Sequence, residues 1–394
     1  MDIFQKCYSF TRAKEAIAMG VYPYFRQIQS GPGSEVMVDG KKMIMIGSNN
    51  YLGLTGHPKV VEAAINAVKK YGTGCTGSRF LNGTLDIHTE LEYRLTKFMK
   101  REAVICFTTG HQSNLSALAT LIGKNDIVFT DRADHASIVD ACRLSFGKVI
   151  KYKHNDMEDL ERVLRLNADK ESGKMIVTDG VFSMEGDIAN LPRIVELAEK
   201  YNTRVYVDDA HSVGVLGKHG RGTAEHWGLE DKVDITMGTF SKSFASLGGF
   251  IATDEPVVDF VKHTARSLIF TASPPPASVA TVLACLDIIE SEPERLERLW
   301  ENTRMMQEGY KSLGFDTGQS ESPIIPIKIG TDDDCFAFWK LMFDNGIFAN
   351  PAISPAVPPG EAIIRTSYMA THTKAELEKV LDIFGKLGKQ FGII

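Results

Sequence analysis

Val205-Tyr206-Val207-Asp208-Asp209-Ala210-His211-Ser212 runs from an apolar, strand-like triplet straight into two carboxylates and a histidine. Polar groups at the carboxyl end of a buried parallel strand stand where such sheets bind ligands. Similar short apolar runs recur on either side of it, at 103–108, 126–129, 148–152, 174–178, 234–237 and 249–252. Helical patterns such as 191–201 separate several of them. Apolar strands alternating with amphipathic helices predict an α/β fold, a mostly parallel sheet of seven strands covered on both faces. Around Ser273-Pro274-Pro275-Pro276 the pattern changes. A long helical stretch to about 313, strand-like 324–329, helix-like 335–345, strand-like 362–367 and a last helix from 374 predict a smaller α+β domain. The expected division is an N-terminal segment over 1–55, a large domain over 56–276 and a C-terminal domain over 277–394. The first of these holds an expected hairpin around Asp39-Gly40.

Composition narrows the function. The chain has 394 residues, 43% of them hydrophobic and 24% charged, which suits a soluble folded enzyme rather than a disordered chain. Lys plus Arg total 44 against 50 Asp plus Glu, a net charge of -6 that argues against a nucleic-acid binder. Six scattered cysteines without a CxxC pair point to free thiols in a reducing compartment, with no metal site indicated. The N-terminus shows no signal-peptide core and no stretch reaches a membrane-spanning length, so a cytoplasmic protein with at most peripheral membrane contact is expected. The apolar stripe of the C-terminal helix, Leu377, Val380, Leu381, Ile383, Phe384, Leu387 and Phe391, is read as core packing before membrane docking.

Gly72-Thr73-Gly74-Cys75-Thr76-Gly77 spells GxGxxG, but a helical pattern precedes it and a loop follows. A dinucleotide fingerprint needs a strand before it and a helix after it, so a flexible glycine loop is the better reading. The more specific chemistry lies in Gly238-Thr239-Phe240-Ser241-Lys242-Ser243, where one amine stands among small hydroxyls after a strand. A buried lysine forms a Schiff base with a carbonyl cofactor. An aspartate such as Asp208 holds a pyridinium proton. Thr239, Ser241 and the helix start after Thr109-Gly110-His111 supply donors for a phosphate. Together they favour a pyridoxal 5'-phosphate (PLP) enzyme.

Seven segments carry a wider resemblance: Ser48 to Leu54, Gly74 to Gly83, Asp134-His135-Ala136-Ser137, Thr178 to Asp187, Asp208 to Ser212, Gly238 to Ser243 and Arg365 to Thr373. On these the chain resembles the α-oxoamine synthases, fold-type I PLP enzymes that condense an amino acid with an acyl-CoA. Val21 to Arg26, Ser78 to His88, Asn350-Pro351 and Ser354 to Pro358 narrow the likeness to the family's soluble, homodimeric bacterial branch that uses serine and palmitoyl-CoA. The resemblance implies that Lys242 holds PLP and moves the substrate Cα proton. It implies that Asp208 pairs with the pyridine nitrogen, His211 and Ser183 lie at the ring hydroxyl, and His135 stacks on the ring and touches the substrate carboxylate. Gly110, His111, Thr239 and Ser241 would hold the phosphate, with Thr271 reaching over from a second subunit. His111 stands where an aromatic residue is usual in the family. Arg365 and Asn49 would hold the carboxylate of L-serine. The implied reaction is a decarboxylating condensation with palmitoyl-CoA, giving 3-ketodihydrosphingosine in a homodimer whose active site lies at the subunit interface. A glycine C-acetyltransferase, an 8-amino-7-oxononanoate synthase and a catalytically silent partner subunit stay open as alternatives.

Overall fold

The computed structural model describes residues 2–394. Glu35–Val38 (β1) and Lys41–Met45 (β2) form the expected hairpin. Its turn is Asp39-Gly40, with φ of 51° and 71°, the left-handed pair that the twist of a two-residue hairpin requires. All seven apolar runs are strands: Ala103–Phe107 (β3), Ile127–Asp131 (β4), Lys148–Tyr152 (β5), Lys174–Asp179 (β6), Arg204–Asp208 (β7), Ile235–Thr239 (β8) and Gly249–Thr253 (β9). They build one sheet in the order β3-β9-β8-β7-β6-β4-β5, in which β9 runs against the rest. The α/β class with a mostly parallel seven-stranded sheet is therefore as expected.

Side chains alternate across this sheet, and the alternation sorts the core into two layers. Val177, Tyr206 and Met237 face one layer with helices Gly110–Leu121 and Ala136–Leu144. Ile176, Val205 and Val207 face the other, with helices Met157–Arg165 and Leu191–Tyr201. Strand β7 thereby commits Asp208, two residues after Tyr206, to the Gly110–Leu121 side.

The C-terminal unit is built on Ile324–Gly330 (β10), Ile347–Phe348 (β11), Asn350–Ala352 (β12) and Ala362–Ser367 (β13). Strand β13 lies between β10 and β12, whereas β11 pairs with β2. The N-terminal hairpin thus completes the C-terminal core, where Val36, Ile44 and Ile46 pack with Trp339, Ile347 and Tyr368. Leu377, Val380, Phe384 and Leu387 of the last helix, Lys374–Phe391, are buried in that same core, so its stripe is packing.

One expectation changes. The stretch expected as one helix to about 313 is two, Pro276–Ser291 and Glu294–Leu313, separated at Glu292-Pro293 because proline has no N–H to continue the first. The first of these buries Val279, Val282, Cys285 and Leu286 against Val60, Leu91 and Leu95 of the large unit. By its packing that helix lies against the large unit. Asp332-Asp333-Asp334 forms the first turn of helix Asp332–Asp344, capped by Thr331, where carboxylates complement the helix dipole.

Candidate active site

The carboxyl ends of β4, β6, β7 and β8 converge on one cleft. Asp179 and Asp208 are register partners at the tips of β6 and β7, and Thr239 ends β8. His135 caps helix Ala136–Leu144 just after β4, and Lys242 follows β8 by three residues. A cavity of about 230 Å³ is lined by Gly110, His111, His135, Asp208, His211, Thr239, Ser241 and Lys242. A second, of about 760 Å³, shares His135, His211 and Lys242 with it and adds Asn49, Ser183 and Arg365. Of the twelve residues singled out from sequence, eleven line these two connected spaces. The exception is Thr271, whose hydroxyl accepts a hydrogen bond from Gln112 Nε2 at 3.2 Å.

Electrostatics in the cleft follow from burial. Lys242 is partly buried and lines both cavities, and desolvation brings its ammonium down to about 7 despite the opposing pull of Asp208 and Asp179. Burial, then the positive Lys242 and Arg365, hold His211 well below the ordinary histidine range, so its ring is neutral. Burial also lowers His135, against the pull of Asp208. Asp134 and Asp179 are pushed well up, first by burial and then by neighbouring carboxylates. Asp179 accepts the His135 backbone N–H at 3.1 Å, and Asp134 accepts the Asp179 N–H at 3.0 Å.

Two hydrogen-bond chains hold these groups. Asn114, one turn into helix Gly110–Leu121, donates from Nδ2 to Asp208 Oδ2 at 2.6 Å and to Ser137 Oγ at 2.8 Å. Ser137 Oγ lies 2.7 Å from His135 Nδ1, and Tyr206 donates to Asn114 Oδ1 at 2.7 Å. On the other side Arg365, mid-sheet on β13, donates from Nε to the Ser183 carbonyl at 2.6 Å and from Nη2 to Asn49 Oδ1 at 3.0 Å. Tyr51 OH lies 2.7 Å from His211 Nδ1. Asn114, Ser137, Tyr206 and Tyr51 were not singled out from the sequence as site residues. Spacing did hold a signal for two of them. Tyr206 shares a strand face with Asp208, and Asn114 is one helical turn from Gly110.

Asp209, adjacent to Asp208 in sequence, points elsewhere. It is fully buried and accepts from Thr223 Oγ1 at 2.6 Å and Thr223 N at 3.0 Å, and burial pushes its carboxyl up to about 7. The GxGxxG stretch follows helix Pro58–Tyr71 and leads through turns to helix Asp86–Met99, so it lacks the strand a dinucleotide site requires.

Residues 41–384 match the family described as aminotransferase class I and II. The chain belongs to the aminotransferase class I and II family. Within that family, a serine palmitoyltransferase from Sphingobacterium spiritivorum is 54% identical over 97% of this chain and 95% of its own length. An 8-amino-7-oxononanoate synthase from Thermoanaerobacter pseudethanolicus is 44% identical over 97% of this chain and 97% of its own. A solved structure of SPT with PLP internal aldimine has a TM-score of 0.96 and 36% identity over 100% of both chains. The fold-type I reading and the resemblance drawn from the motifs hold. In this class I and II member, the amine, the acid and the two histidines reach one cleft from the carboxyl ends of β4, β7 and β8.

Proposed function

We propose that this chain is a serine palmitoyltransferase, a PLP-dependent enzyme that joins L-serine to palmitoyl-CoA with loss of CoA and carbon dioxide to give 3-ketodihydrosphingosine. The observation that carries the reading is one cavity lined together by a low-pKa amine, Lys242, a buried carboxylate, Asp208, and small hydroxyls, Thr239 and Ser241. Identity with serine palmitoyltransferases over nearly the whole chain supports it.

The donor set fits PLP along its length. Asp208 suits a pyridine N–H at one end. Thr239, Ser241, His111 and the helix start at Gly110 suit a dianionic phosphate at the other. A Cβ on Gly110 would stand 2.6 Å from Thr239 Oγ1, so glycine keeps that cradle open. When bound, PLP supplies an electron sink for bonds broken at the amino acid's Cα. Lys242, neutral above about pH 7, carries the cofactor and then removes and returns the Cα proton. His135 would cover the face of the bound ring, and Ser183 and His211 would lie at its hydroxyl. Arg365 and Asn49 would hold the serine carboxylate and, with His135, orient the amino acid so that bond breaking is directed at its Cα. We further propose a cytoplasmic homodimer in which Thr271 of each subunit completes the phosphate site of the other. Among the described residues no helix is long and apolar enough to cross a membrane.

The test is CoA release by the PLP-loaded enzyme with serine, glycine or alanine against palmitoyl-CoA, acetyl-CoA or pimeloyl-CoA. Preference for serine with palmitoyl-CoA is the expected result. Preference for alanine with pimeloyl-CoA would assign the chain to the 8-amino-7-oxononanoate synthases, which its 44% identical relative keeps as the second reading.

A further inference from the structure

Building on the PLP reading, we propose that Tyr51 is a positioning residue that fixes His211 in the tautomer carrying its proton on Nε2, leaving that N–H for the hydroxyl oxygen of the bound pyridoxal ring. Tyr51 is fully buried and its OH lies 2.7 Å from His211 Nδ1, while Nε2 has no hydrogen-bond partner among the described residues. His211 lines both cavities, so the unpartnered nitrogen belongs to the ring that faces the cleft.

Direction follows from the neighbours. Arg365, a donor only, already occupies Asn49 Oδ1 at 3.0 Å. The Tyr51 hydroxyl is 3.4 Å from that same oxygen, a poor second choice for its proton. His211 Nδ1, at 2.7 Å, is the better acceptor. A buried neutral imidazole has one proton, and if Nδ1 accepts, Nε2 carries it. Burial holds the phenol proton on Tyr51, raising its pKa to about 12 against the opposing pull of Arg365, so the hydroxyl remains a donor across the working range.

Tyr51 is also held rigidly. Its carbonyl accepts the Ala370 N–H at 2.7 Å, and Ser367 Oγ donates to the Ser48 carbonyl at 2.6 Å. Gly53, at φ 67°, lies so close to Thr371 that a Cβ there would come within 2.2 Å of it. The segment 48–54 is thereby bolted to the C-terminal unit, and through Tyr51 that unit sets the orientation of a histidine on the large one.

The experiment is 15N NMR of histidine-labelled full-length protein, as purified and after saturation with PLP, for the wild type and Tyr51→Phe. In the wild type His211 is expected to show an unprotonated Nδ1 and a protonated Nε2 in both samples. In Tyr51→Phe the two tautomers mix, the visible cofactor band shifts and PLP binding weakens about tenfold, the size of one net hydrogen bond. A wild-type His211 protonated on Nδ1 would overturn the proposal by itself, whether or not the variant folds. So would a Phe variant with unchanged nitrogen signals and an unchanged band. A wild type with the expected tautomer but no cofactor band would overturn the PLP reading instead, and with it the assigned target of the Nε2–H.

Discussion

Asn114 Nδ2 stands 2.6 Å from Asp208 Oδ2, joining the first helix of the cleft to the carboxylate at the tip of β7. The same amide reaches Ser137, and through it His135, so one buried side chain orients both Asp208 and His135. Replacing it with Leu would keep the volume and leave Asp208, Ser137 and Tyr206 each short of a partner. Losing a hydrogen bond to a charged group costs about 1.5–3 kcal/mol, which corresponds to roughly tenfold to hundredfold weaker PLP binding if the cost falls on the loaded state. Absorbance titration of Asn114→Leu with PLP measures it; unchanged affinity would remove Asn114 from the site.

Lys242 provides a pH test with a defined sign. Only the unprotonated amine attacks an aldehyde, and burial brings its pKa down to about 7. The rate at which the cofactor-free enzyme acquires PLP, followed by stopped-flow absorbance, is expected to rise with pH through about 7 and then level off. A rate still climbing at pH 9 would mean an ordinary surface-like lysine. Lys242→Ala is expected to bind PLP without borohydride-reducible attachment.

Gly110 tests the phosphate end separately. Its added Cβ would meet Thr239 Oγ1 at 2.6 Å and Thr239 Cβ at 3.0 Å, inside the proposed cradle. Gly110→Ala should therefore weaken PLP by an order of magnitude or more while leaving the weak binding of pyridoxal, which lacks the phosphate, nearly as it was. Equal losses for both ligands would place the damage elsewhere.

His154 makes a structural prediction away from the chemistry. It lies 3.0 Å from Asp131 and 3.2 Å from Asp187, on either side of its ring. Burial opposes its charge, but hydrogen bonds to both carboxylates outweigh this and raise its pKa to about 10. Because the folded value lies above the unfolded value of about 6.5, the stabilisation is complete below that pH and disappears as pH rises through about 10. The melting-temperature advantage of wild type over His154→Gln should be largest at pH 6 and nearly gone above pH 10. An advantage that grows with pH would contradict the pairing.

Much of the architecture was legible in the chain. Strands buried on both faces must be continuously apolar, and that is why the inner runs between 103 and 253 declared themselves without a partner in view, whereas Lys148–Tyr152 at the sheet edge is mostly exposed and carries two lysines. The same logic located Asp208, His211 and Lys242, because polar residues that interrupt such runs at their carboxyl ends have few structural reasons to be there. The break at Glu292-Pro293 was harder to see, since both flanking segments carry helical periodicity and only packing tells which core each one serves. The membership of the N-terminal hairpin was hidden for a related reason: β2 pairs with β11 across some three hundred residues, and a strand's own pattern does not name its neighbour.

What the sequence determined by itself was local and periodic: the alternation of strand and helix, the proline and glycine punctuation, and the chemical identity of the residues at strand ends. Tertiary structure decided which of two adjacent carboxylates serves the cleft, because strand β7 turns Tyr206 and Asp208 toward Asn114 while Asp209 is spent on Thr223. It also decided that Tyr51 and Arg365, on segments more than three hundred residues apart, meet around Asn49 and His211. Hydrogen bonds depend on distance and angle within a few tenths of an ångström, and those are properties of the folded chain rather than of its residue order.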